Sequence, residues 1–248
     1  QNLIKKYFPN TMNILNLKDH KININYKNNI LSLKGLGKIK LQDKFDFIDY
    51  EVVNKGSDLD LVSNIELSEI DLKNQNLIKK YFPNTKNILN LKDHKININY
   101  KNNILSLKGL GKVKLENEFN KIRYSFSKKN KKYNFETDLE VNDAPLQIDI
   151  INYEKNKKFN SQFRIIGDYT KKIGLNLKKI SLISKNNKLL INNLILDSKN
   201  KIVKVDKIDL DYFDNNEKRN KFVLNRIKDS YYELNGSLLN ANPIITSF

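Results

Sequence analysis

Residues Gln1 to Leu41 recur almost unchanged as Gln75 to Leu115, the two stretches differing only at Met12/Lys86 and Ile39/Val113. A repeat of 74-residue period, copied this closely over 41 residues, is accommodated where one unit stacks on the next, because a closed barrel or sandwich has no room for a second copy of part of itself. The duplication therefore points to an open, repeat-like architecture.

Inside each copy the apolar period is two. Ile22, Ile24 and Tyr26 alternate with Lys21, Asn23 and Asn25, and the Asn28-Asn29 pair suits a two-residue hairpin turn that sets Tyr26 opposite Leu31 and Ile24 opposite Leu33. The second copy repeats the pattern, with Tyr100 opposite Leu105 and Ile98 opposite Leu107. A turn at Lys129-Asn130 predicts a further hairpin, with Phe126 opposite Tyr133 and Tyr124 opposite Phe135. The same alternation runs through Leu59 to Leu67, Tyr133 to Val141, Leu146-Ile148-Ile150, Ser161-Phe163-Ile165, Ile180-Leu182 and Val203-Val205. Helical signals are confined to residues 2–8 and 76–82, each stopped by a proline, Pro9 or Pro83. The reading is a mainly β protein: an elongated, curved antiparallel β-sheet of about fifteen strands forming an open groove, one unit over residues 1–248.

Two short helices cannot cover such a sheet. Leaving each large apolar side chain wet forfeits about 1.5–3 kcal/mol, so a second sheet, curling of the sheet on itself, a protein partner or an apolar ligand must fill the concavity. Parity puts Ile22, Ile24, Tyr26, Leu31 and Leu33 on the groove lining, and Ile96, Ile98, Tyr100, Leu105 and Leu107 in the second copy. Beyond the repeats it adds Tyr124, Phe126, Tyr133, Phe135, Leu139, Ile148, Ile150, Phe163 and Ile165.

The formal charge of +17 raises nucleic acid as a partner, yet Arg occurs only at 123, 164, 219 and 226, and the lysines are scattered among acids instead of being gathered with aromatics. Nucleic-acid binding is not expected. Without cysteine and with two histidines the chain lacks the usual means of holding zinc, and no metal or cofactor is expected. Gly35-Leu36-Gly37 and Gly109-Leu110-Gly111 lack the third glycine and the following helix of a phosphate loop, and read as bulges or bends in strands. His20 and His94 stand in identical Lys-Asp-His-Lys settings with no catalytic partner, and read as solvated strand-entry residues. In the acidic cluster Asp206, Asp209, Asp211, Asp214 and Glu217, Phe213 takes a calcium-ligand position and the turn glycine is missing, so alternate carboxylates on a half-buried strand are expected. No catalytic set emerges, and an enzyme is not expected. The chain has no apolar run long enough for a membrane span and no signal peptide, and reads as an excerpt of a longer protein.

Several segments, in order, resemble the AsmA-like family of bacterial envelope proteins, especially its YhdP-type region. They are Leu77 to Pro83 with its aromatic-Pro step, the hairpin Lys95 to Leu107 followed by Gly109 and Gly111, Ala144-Pro145-Leu146 with Asn152 to Lys155, and Tyr232 to Ser237 followed by Pro243-Ile244-Ile245. That resemblance implies a periplasmic apolar groove in a Gram-negative bacterium, tethered to the inner membrane by an N-terminal helix missing here. It implies phospholipid transport between inner and outer membranes, with acyl chains as the ligand and other envelope proteins as neighbours. The alternative is a structural or adhesive envelope protein whose strands close into a dry sandwich.

Overall fold

A computed structural model of the chain describes residues 16–73, 76–142, 144–155, 159–199, 201–229 and 231–239. Each repeat copy supplies a hairpin, β1 (Asn16–Lys27) with β2 (Ile30–Lys40) and β5 (Ile88–Lys101) with β6 (Ile104–Lys114). Between them run β3 (Phe45–Lys55), β4 (Asp58–Lys73) and the helix α1 (Asn76–Tyr81). After them come β7 (Phe119–Lys129), β8 (Lys132–Val141), β9 (Gln147–Ile148), a 3-10 turn at Asp149–Ile151 and β10 (Tyr153–Glu154). The chain continues as β11 (Ser161–Thr170), β12 (Gly174–Ser184), β13 (Lys188–Asp197), β14 (Ile202–Lys204), β15 (Lys207–Phe213), β16 (Arg219–Lys228) and β17 (Tyr231–Leu238). Fifteen of these strands form one antiparallel sheet, in chain order from β1 to β17 with β14 attached beside β13, and β9 pairs only with β10. The end strands do not meet, so the sheet is open and is no barrel.

The turns follow residue chemistry. Asn28 and Asn29, like Asn102 and Asn103, all take positive φ, which tight hairpin turns require and asparagine tolerates. The expected registers of both repeat hairpins hold: Tyr26 faces Leu31, Ile24 faces Leu33, Tyr100 faces Leu105 and Ile98 faces Leu107. The third hairpin is displaced. Its turn lies at Asn130-Lys131, because Asn130 and not Lys129 adopts the left-handed conformation, so Phe126 faces Phe135 and Tyr124 faces Thr137. The aromatics nonetheless keep a common side, since the shift is two residues.

Two expected strand segments depart from the main sheet. In Leu146-Ile148-Ile150, only Gln147–Ile148 is strand, and the chain folds back through the 3-10 turn onto β10. Val203 lies on the short β14, whereas Val205 is buried just past its end. Helix α1 matches the expected 76–82 element to within one residue, ending at Tyr81, two residues before Pro83; the expected helix at 2–8 lies outside the described residues.

The core sits at one end of one face. There Leu89, Val113, Leu139, Val141, Leu182, Leu189, Leu210 and Phe222 of the sheet are covered by Ile78 and Phe82 of the α1 segment and by Ala144, Leu146, Ile148 and Tyr153 of the β9–β10 segment. This cap is pinned by polar bonds. The Lys155 ammonium, 1% exposed, donates to the carbonyls of Asn142 (2.7 Å) and Ala144 (3.3 Å), and the Tyr212 hydroxyl donates to the Ile151 carbonyl at 2.8 Å. Tyr153 packs edge-on to Tyr212 at 5.7 Å, and burial pushes both phenols up to about 12.

Gly37 and Gly111 lie opposite bulges, as the bulge-or-bend reading expects. The irregularity falls on the neighbouring strand, as bulges between Lys18 and Lys21 and between Lys92 and Lys95. The glycines leave space for rings: a Cβ on Gly109 would lie 2.3 Å from Tyr124 Cζ, and one on Gly111 would lie 2.4 Å from His94 Cδ2. Gly35 and Gly37 receive Tyr50 and His20 in the same way. Gly111→Ala should therefore force the His94 ring aside and destabilise the protein by about 1–3 kcal/mol in urea unfolding; an unchanged midpoint would contradict the packing.

Candidate functional site

Beyond the capped end, the face that carries the core continues across the sheet without a covering layer among the described residues. Register connects it strand by strand. One line runs Ile48, Ile65, Ile96, Gly109, Tyr124, Thr137, Ile165, Ile180, Ile191, Ile208, Leu224 and Leu234 from β3 to β17. The next line out runs Ile98, Leu107, Phe126, Phe135, Gly167, Leu177 and Leu194. Most of these side chains are half-buried, touching strand neighbours below while their tops stay free. Toward β1 they become wetter, with Ile22 48% and Ile24 68% exposed.

The face changes character from its capped end to its hairpin end. Buried aliphatics give way to the half-buried Ile and Phe lines, and the outermost line reads Tyr100, Leu105, Lys128, Tyr133 and Tyr169. The Lys128 ammonium lies 5.7 Å from the centre of the Tyr133 ring, which packs on Tyr169 at 6.0 Å. Tyr100 donates its hydroxyl to Asn103 Oδ1 at 2.9 Å, as Tyr26 does to Asn29 Oδ1 at 3.1 Å. The trough thus has an apolar floor and one amphipathic rim of phenol and ammonium groups.

Of the residues expected on the lining, Ile22, Ile24, Tyr26, Leu31, Leu33, Ile96, Ile98, Tyr100, Leu105, Leu107, Tyr124, Phe126, Tyr133, Phe135 and Ile165 lie on this open face by register. Leu139 is on the same face but buried, and Phe163 packs at the border of the core. Ile148 belongs to the cap that packs on the sheet, and Ile150 sits in the 3-10 turn instead of on a sheet strand. The prediction missed Leu175 and Leu177, because the irregularity at Lys178 switches the inward positions of β12 from odd to even before Ile180 and Leu182. The unbroken alternation of Tyr50-Val52 could have been found directly.

His94 is 2% exposed, not solvated. A bulge turns it inward over Gly111, with Asp93 beside it at φ 54°. Its Nε2–H donates to the Lys112 carbonyl at 3.0 Å, since a carbonyl only accepts, which leaves Nδ1 to accept from the Tyr124 hydroxyl at 3.1 Å. Burial pushes the imidazole below its ordinary value, opposed by the Lys112 carbonyl and the Asp93 carboxylate, and burial also raises the Tyr124 phenol. In the first copy His20 makes the same bond to Lys38 at 3.0 Å, but its Nδ1 has no hydrogen-bond partner.

The other face is polar and laced with cross-strand ion pairs, including Lys34–Glu51 at 3.2 Å, Lys132–Asp168 at 3.4 Å and Lys188–Asp209 at 2.6 Å. A pair exposed on both sides, such as Lys34–Glu51, is worth about 0–1 kcal/mol, whereas the Asp168 and Asp209 carboxylates are largely covered. A cleft of about 770 Å³ there is lined by Asp49, Glu66, Lys95, Arg123, Glu136, Asp138 and Arg164. Its acids are engaged: Glu66 by Lys95 at 3.3 Å, and Glu136 and Asp138 by Arg164. Asp209 and Asp211 of the acidic cluster likewise pair with Lys188 and Arg219.

No family model, no curated protein and no solved structure matches the chain.

Because the folded His94 holds its proton less tightly than an unfolded one, the unfolded state binds more protons as pH falls through about 6.5. Stability should therefore drop on acidification from pH 7.5 to 5.5, and His94→Gln should remove part of that slope. Identical slopes in urea titrations of the two proteins would contradict the buried neutral imidazole.

Proposed function

We propose that the open face is a lipid trough, and that the protein is a segment of an AsmA-like periplasmic conduit assisting phospholipid transport between the inner and outer membranes. The observation that carries this reading is the mainly apolar line running from β3 to β17, interrupted only at Gly109 and Thr137, with no layer over it among the described residues. Each acyl CH₂ in water costs about 0.8 kcal/mol, so a two-chain lipid of roughly thirty such groups does not cross water unaided at a useful rate. Equivalent Ile, Leu and Phe side chains at successive strands offer nearly equal surroundings, so a chain slides from one to the next over small barriers. The Tyr133, Tyr169 and Lys128 rim suits the interfacial region, keeping a phosphate headgroup wet beside a cation while the tails lie on the floor. Strands about 4.8 Å apart make the twelve-strand path from β3 to β17 about 50–55 Å long. A repeat of 74-residue period lengthens it without altering its chemistry.

A second reading, a structural or adhesive envelope protein, draws on the capped end, where the same face does pack in a dry core. It requires an opposing layer to continue over the Ile and Phe lines.

Ile98→Asp or Leu107→Asp places a carboxylate in the middle of the floor. Each should lower co-purified phospholipid, measured by mass spectrometry, several-fold while the β circular-dichroism signal persists. Lipid content equal to that of the unaltered protein would sink the conduit.

A further inference from the structure

The duplication contains an internal comparison. Asn16–Lys27 of β1 is repeated residue for residue as Asn90–Lys101 of β5. On one side the two strands behave alike, each pairing with its hairpin partner in the same register and with the same irregularity. On the other side they differ. β5 receives β4 antiparallel, with Ile65 opposite Ile96 and Leu61 opposite Tyr100, whereas no described strand lies on that side of β1.

The difference is visible in exposure: Ile24 and Tyr26 are each 68% exposed, while their counterparts Ile98 and Tyr100 are half-buried. The polar side of the β4–β5 pairing is chemically specific. Glu66 meets Lys95 at 3.3 Å, Glu69 faces Lys92, and Asn97 Nδ2 donates to Asn64 Oδ1 at 2.8 Å. β1 offers Lys21, Lys18 and Asn23 at the corresponding positions.

We propose that the outer edge of β1 is a strand-docking site for an extended segment of β4's chemistry, one that alternates apolar residues with acids and an amide. The segment binds antiparallel, with apolar residues continuing the trough floor and, on the polar side, acids facing Lys21 and Lys18 and an amide facing Asn23. An open edge supplies backbone donors and acceptors for such an added strand, and the alternate side chains set its register. The other end strand, β17, is a poorer fit. On β17 the outward Glu233 and Asn235 run in the opposite order to Asn64 and Glu66, so an antiparallel β17 puts the acid on Asn23 and the amide on Lys21. The docking site does not depend on the lipid reading.

The chain has no cysteine, so register can be read by disulfide trapping. The probe is a synthetic peptide of residues 58–73 carrying Asn64→Cys, mixed under mild oxidation with the 248-residue protein carrying Asn23→Cys. Directly opposed positions come within the roughly 4.4–6.8 Å Cα separation that a disulfide needs. The expected result is at least about tenfold more adduct than with a Val62→Cys peptide, and the preference should reverse when the protein carries Asn25→Cys, because Val62 pairs with the equivalent Asn99. Asn97→Cys, the same residue in the copy whose edge β4 already fills, should give no adduct. No adduct at Asn23→Cys, equal adduct with both peptides, or equal adduct at Asn23→Cys and Asn97→Cys would overturn the site. A disulfide-linked homodimer that forms in preference to the peptide adduct would overturn the choice of occupant.

Discussion

Side chains two residues apart on a strand face the same way, and in an antiparallel pair each meets a partner about 4.5–5.5 Å away. Fifteen hydrogen-bonded strands propagate that parity across the sheet, so one face collects isoleucine, leucine and aromatic rings and the other collects lysine and carboxylate. Everything else in this protein hangs on that segregation. Where a strand gains a residue, as at Asp93 or Lys178, the bulge restores the sidedness that a plain count would lose. The polar face needs only weak, solvent-exposed ion pairs, since water serves it; the apolar face needs a cover, and the chain supplies one only at the α1 and β9–β10 end among the described residues.

How much of this was legible follows from how local each determinant is. The Asn-Asn hairpins, their registers and the inward residues of β5 and β6 depend on neighbours a few positions apart, and the alternation of Ile96, Ile98 and Tyr100 was sufficient to place them. The turn after β7 was misplaced because Lys129 and Asn130 differ only in their tolerance of positive φ, a small local preference. The cap was not legible. Leu146 and Ile148 alternate like a strand, but what they do is set by Lys155, which folds back onto the carbonyls of Asn142 and Ala144, and by Tyr212 of β15, which binds the Ile151 carbonyl from across the chain. His94 was misjudged for a related reason: a bulge and a glycine on the next strand bury it, and neither is visible in the Lys-Asp-His-Lys sequence alone.

The two copies also differ in completeness. In the second, the His94 ring is closed in by Gly111, Tyr124 and Lys112, and the strand carrying it is flanked on both sides. In the first, His20 and Tyr50 approach in the same arrangement, with ring centres 6.4 Å apart against 5.8 Å for His94 and Tyr124, but without the hydrogen bond between them. An identical sequence therefore gives a tighter unit where a neighbouring strand is present, as expected for stacked elements stabilised through their interfaces.

Identity between the copies carries a hazard for the nascent chain. β1 fits β6 as well as it fits β2, and β5 fits β2 as well as it fits β6, so energy at the ladder does not choose between the correct and the crossed pairing. Closure entropy does. The two-residue turns at Asn28-Asn29 and Asn102-Asn103 bring their own strands together on the microsecond scale, whereas the crossed pairs must first close loops of 47 residues (β2 with β5) or 76 residues (β1 with β6). Those four asparagines act as timekeepers, sealing each hairpin before its twin can compete.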